Sequence, residues 1–139
     1  MRVFLSIAIV TAASALLANA QRCEFVTNGV REVPAVFATI IESGPTVSSV
    51  QGKVTDVRRA AIPGATVVLW RLGAKSTPKN YIGTAVADEN GDFCFGEQSS
   101  GGYELDAGSR DFQKLVMRFK VRNPGISAKK ILLMLEVGL

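Results

Sequence analysis

The chemistry open to this chain is defined first by what is missing, since none of its 139 residues is histidine. Ser-His-Asp and Cys-His catalysis, the usual zinc-hydrolase ligand sets and the commonest general base near neutral pH therefore have no apparatus. What remains is carboxylates, hydroxyls, Tyr81 and Tyr103, Trp70, and the cysteines Cys23 and Cys94. The densest oxygen-donor group is Asp88-Glu89-Asn90-Gly91-Asp92. A calcium ion takes such donors, but the long loop spacing and closing bidentate glutamate of an EF-hand are absent, and the expected role is a turn. A glycosidase built on paired carboxylates alone needs a deep cleft, which a small sandwich is not expected to offer. The sequence assigns no catalytic, cofactor-binding or metal-binding residue, and neither a cofactor nor an enzymatic activity is expected.

Two further sets suit binding. Trp70 and Tyr81 are the aromatics on which a sugar ring could stack, although a lone tryptophan in an apolar strand is more often core. Along 114–122, alternation puts Leu115, Met117, Phe119 and Val121 on one face and Lys114, Arg118, Lys120 and Arg122, with Val116 among them, on the other. That basic stripe could meet an anionic surface, or it could pair across the ladder with Glu104 and Asp106 of the preceding strand. The latter is the preferred expectation. A net charge of +4 is too mild to imply a nucleic-acid partner.

The elements that must position these groups are short runs of β-branched and aromatic residues separated by Gly, Pro, Asn, Asp and Ser, with no sustained helical periodicity. Strands are expected at 50–56, 65–72, 81–87, 92–95, 102–106, 114–122 and 130–137, which gives a seven-stranded, two-sheet sandwich. Turns are expected at Ile62-Pro63-Gly64, Ser76-Thr77-Pro78, Asn90-Gly91 (as a hairpin), 99–102 and Asn123-Pro124-Gly125. The segment 36–41 reads equally as an edge strand or a short helix.

Residues 1–20 carry the marks of a secretory signal peptide: Arg2, an apolar stretch, then Ala18-Asn19-Ala20 as an A-x-A cleavage site. Cleavage near Ala20 would leave 21–49 as a leader packing on the sandwich and 50–139 as the domain, with no mature transmembrane segment. Export to the periplasm or beyond favours oxidised cysteines. Cys94 alternates with Phe93 and Phe95, so it faces away from the core they enter. A Cys23–Cys94 disulfide would pin the leader across the outer face of one sheet; two free thiols are the alternative.

Four motifs follow in order: 50–56 (VQGKVTD), 62–67 (IPGATV), 88–95 (DENGDFCF) and 102–105 (GYEL). Together they resemble the carboxypeptidase regulatory-like domain family, over about residues 49–122. The resemblance implies a transthyretin-like (prealbumin-like) Greek-key β-sandwich. Departures lie at 99–102, where the family often has a Pro-Gly turn, and at Asp111-Phe112, where it has a Gly-Phe pair. Enzymes on related folds, namely hydroxyisourate hydrolases, intradiol dioxygenases and metallocarboxypeptidase catalytic domains, depend on histidines this chain lacks. The resemblance therefore implies a non-enzymatic interaction or structural module with a protein or cell-envelope partner. A polysaccharide-binding module is the alternative.

Overall fold

Eight strands emerge from the period-two alternation: β1 (Thr39–Val47), β2 (Ser49–Thr55), β3 (Thr66–Arg71), β4 (Asn80–Val86), β5 (Asp92–Glu97), β6 (Gly101–Gly108), β7 (Lys114–Val121) and β8 (Ile131–Met134). The structure, a computed structural model, describes residues 23–36, 38–73, 79–124 and 129–138. The expected signal peptide, the Ser76-Thr77-Pro78 turn and Gly125 lie outside the described residues. Among the described residues there is no helix, and so none long and apolar enough to cross a membrane.

The strands form a two-sheet β-sandwich, one sheet ordered β1-β7-β6-β3-β4 and the other β5-β2-β8. All seven expected strands are present, and β1 is the eighth. It settles the ambiguity at 36–41: Thr39, Ile40 and Ile41 open an edge strand parallel to β7, in which a helix would be broken by Gly44-Pro45. The inward faces of β3, β6 and β7 meet Phe93 and Phe95 of β5, Val50 and Val54 of β2 and Leu133 of β8 from the smaller sheet. Leu115, Met117, Phe119 and Val121 are all buried there, each contributing on the order of 1.5 to 3 kcal/mol before entropy costs.

Two backbone features fix the strand ends. Gly64 takes a φ of +78°, which suits the third position of a type II turn after Pro63. Gly52 sits so close to the Ile131 backbone that a Cβ would overlap its carbonyl, and this lets β8 pair alongside β2. At 88–91 the expectation of a hairpin is corrected, because β4 and β5 belong to different sheets. Asp88 Oδ1 accepts the Asn90 and Asp92 amides at 2.8 and 2.9 Å, closing a corner that carries the chain between layers.

Residues 23–36 form a strap around the sandwich. Cys23 is bonded to Cys94 on the outer side of the three-stranded sheet. Phe25 then fills the gap between β5 and β4, its ring 5.2 Å from that of Phe95 and against Gly83. Val26 makes a two-bond antiparallel bridge to Thr84 on the outer edge of β4, at 2.9 and 2.8 Å. From there the strap crosses the outer face of the five-stranded sheet. Gly29 lies on Thr84, and Val33 and Pro34 on Gly108 of β6. At the far side the Val36 amide donates to the Phe112 carbonyl at 2.9 Å, and β1 begins beyond β7.

Candidate functional site

The aromatics and the basic stripe singled out in the sequence share one surface, the outer face of the five-stranded sheet. Strand register aligns Tyr81, Trp70, Glu104 and Arg118 in one row across β4, β3, β6 and β7. The adjacent row is Thr84, Val68, Asp106 and Val116. Outward-facing residues of a wet sheet would be exposed, yet Glu104 is 0% and Asp106 3% accessible, on the face that the strap crosses.

Buried carboxylates need partners. Glu104 is held by Lys79 and by Arg118 Nε, the latter at 3.3 Å. Lys114 Nζ lies 3.7 Å from Asp106 Oδ2. The expected ladder pairing is thus realised for Lys114 and Arg118. Burial, then the hydrogen bond with Glu104 and its negative charge, push the Asp106 carboxyl up to about 6 against the opposing charges of Lys114 and Lys79. Burial also pushes Glu104 up, but the hydrogen bond from Asp106 and the pairing with Lys79 and Arg118 hold it below its ordinary value. As pH falls, the first proton taken up by the pair therefore goes to Asp106.

Trp70 is half-buried on this outer face and not in the core cluster, contrary to the usual fate of a lone strand tryptophan. Its indole meets Tyr81 edge-on at 5.5 Å, and Lys79 Nζ stands 5.8 Å from its ring. The Tyr81 hydroxyl accepts the Gly29 amide at 3.0 Å and lies 2.8 Å from Thr84 Oγ1, which donates to the Val30 carbonyl. The Arg31 guanidinium covers the Tyr81 ring at 4.6 Å. Tyr81 thus braces the strap and Trp70 buttresses Tyr81, and each ring carries a cation over it.

Lys120 and Arg122 differ from the first half of the stripe. Both are exposed, and among the described residues neither pairs with a carboxylate. They line a hollow of about 560 Å³ with Thr46, Gly101 and Gly102.

A further concavity forms between segments far apart in the chain, which local sequence pattern does not reveal. It is a cleft of about 730 Å³ between the strap and β4, lined by Phe25, Val26, Val30, Thr84 and Val86 among others. Three of its residues, Val26, Val30 and Val86, remain 52, 67 and 63% exposed. The Thr84 backbone groups point outward to Val26, and Val86, two residues on, presents its N–H and C=O the same way. No described strand pairs with Val86 on that side.

No family model and no curated protein sequence matches this chain. Among solved structures it is similar to 3-chlorocatechol 1,2-dioxygenase from Rhodococcus opacus, at 12% identity over 94% of this chain and 78% of that one, with a TM-score of 0.41. It is also similar to chlorocatechol 1,2-dioxygenase from Pseudomonas putida, at 10% identity over 90% and 76% of the two chains, TM-score 0.45. Hydroxyquinol 1,2-dioxygenase from the same species follows at 11% identity, 89% and 71% coverage and a TM-score of 0.42. Likeness at this level bears on neither activity nor ligand.

Proposed function

We propose that this chain is a non-enzymatic, exported β-sandwich of the carboxypeptidase regulatory-like kind, and that it binds a protein partner through the strap–β4 cleft. Export is supported by the disulfide and by the signal-like segment at 1–20. The family reading rests on the four ordered motifs.

The observation that carries the binding role is the cleft itself. Exposed Val26, Val30 and Val86 cluster beside an open stretch of strand edge, whereas Ile41, Val57, Leu132 and Val137 are exposed on other parts of the chain. Clustered apolar surface marks interaction sites, and an open edge offers backbone hydrogen bonds to an extended segment. The isolated Val26 bridge to Thr84 is backbone pairing of this kind and supports the reading. Sugar stacking on Trp70 or Tyr81 is disfavoured, because Lys79 and Arg31 already stand over those rings.

The test is Val86→Glu, which puts a charge on the exposed edge without touching the core. Affinity for the cognate partner is expected to fall at least tenfold at an unchanged melting temperature. Equal binding by the variant would refute the assignment.

A further inference from the structure

The structure separates the basic stripe of β7 into two halves with different work. Lys114 and Arg118 neutralise the buried carboxylates of β6, as described above. Lys120 and Arg122, one and two alternations further on, are exposed and have no carboxylate partner among the described residues. Charges left unneutralised beside a concavity are available to a ligand.

The concavity arises from the register. Lys120 lies between Thr46 of β1 and Gly102 of β6, and Gly101 precedes Gly102, so two neighbours supply backbone but no side chain. The resulting hollow of about 560 Å³ holds Lys120, Arg122 and Thr46. A second hollow of about 430 Å³ shares Thr46, Gly102 and Lys120 and is bordered by Arg118. Arg118 gives Glu104 only its Nε among the described residues, which leaves its terminal guanidinium nitrogens for this second hollow. Glu104 is fully buried and doubly paired, so it adds little repulsion to an anion arriving here.

We propose that the hollow formed by Lys120, Arg122, Thr46 and the Gly101-Gly102 backbone is a binding site for a tetrahedral oxyanion, a phosphate or sulfate ester. Arg122 supplies a planar fork of N–H donors, Lys120 a mobile ammonium and Thr46 a hydroxyl, three donor types suited to the oxygens of one such group. The site draws on β1, β6 and β7 and shares no residue with the cleft at β4. Either can therefore fail without the other.

The test is titration of the full oxidised chain with inorganic sulfate and inorganic phosphate, followed by amide NMR, alongside retention on a heparin column. Saturable shifts confined to the amides of Thr46, Gly101, Gly102 and Lys120 are expected. Affinity should weaken at least tenfold in the double variant Lys120→Gln, Arg122→Gln and stay within twofold in Lys53→Gln. Heparin retention lost in the double variant, together with saturation by a free ion, places a polymer-borne ester in the same hollow; saturation by a free ion without retention restricts the ligand to small esters. Shifts spread over all exposed cations, no saturation by either ion, or binding that survives the double variant overturns the proposal. Because both residues are exposed, the variants should melt with the parent protein, and a melting temperature check separates lost binding from lost folding.

Discussion

Replacing Asp106 by asparagine should stabilise this protein at neutral pH, although it removes a charged residue from an ion pair. In the folded chain the Asp106 carboxyl titrates near 6, against 3.8 for an ordinary aspartate. Between those values the folded state holds a proton that the unfolded state has released, so stability falls as pH rises through the interval. The contribution is complete below about pH 4 and lost above the folded value. Its size is on the order of 3 kcal/mol, taking about 1.4 kcal/mol for each tenfold change in proton affinity. Glu104, held below its ordinary 4.5, works in the opposite sense: its contribution is present above that value and lost as pH falls below it. The range from pH 5 to 7 therefore reports on Asp106. Asparagine keeps a donor for Glu104 and never ionises. The attraction of Lys114, 3.7 Å away, is already contained in the Asp106 value and needs no separate deduction. The net expectation is a variant more stable than the parent by roughly 3 kcal/mol at pH 7, with the advantage shrinking toward pH 5. Urea unfolding followed by Trp70 fluorescence at several pH values measures both quantities, and titrating groups that do not interact with Asp106 cancel in the difference. A variant less stable at pH 7, or a difference independent of pH, refutes the account of the buried pair.

Two further outcomes follow from the strap and the smaller sheet. Removing the disulfide with Cys23→Ala and Cys94→Ala opens a loop of 71 residues, worth up to roughly 4 kcal/mol of chain entropy, and calorimetry should show melting about 10 °C lower; a drop under about 3 °C would mean that Phe25 and the Val26 bridge hold the strap unaided. Gly52→Ala drives a methyl group into the Ile131 backbone and should cost more than about 3 kcal/mol, whereas Gly64→Ala, with open space around it, should cost roughly 1 kcal/mol from its positive φ alone. Comparable urea midpoints for the two glycine variants would contradict that ordering.

The inward faces were legible because alternation is a local property: Leu115, Met117, Phe119 and Val121 are read directly from spacing, as are Phe93 and Phe95. The Cys23–Cys94 bond was also within reach, since alternation sent Cys94 to the outside of its sheet. A turn sequence is weaker. Asp88-Glu89-Asn90-Gly91 announces that the chain changes direction but not which sheet the next strand joins, and the corner was misread as a hairpin. Alternation places Glu104 and Asp106 opposite the core and within reach of the stripe but does not reveal their burial, on a face also crossed by residues 29–34, some 70 positions away. Trp70 shows the same limit, because an apolar strand with two covered faces looks from sequence like one buried in the core. The cleft was beyond local pattern altogether, as it exists only where Val26 and Val30 meet Val86. The division of the stripe depends on glycines at 101 and 102 facing Lys120, a register that hydrophobic periodicity does not reveal.

The claim that the strap–β4 cleft binds a partner is tested most directly by photo-crosslinking from benzoylphenylalanine placed at Val86, with Val57 as an exposed apolar control, in the cells that make the protein. The account predicts one discrete adduct from position 86, absent from position 57. The same adducts from both positions, or no adduct from position 86, would contradict it.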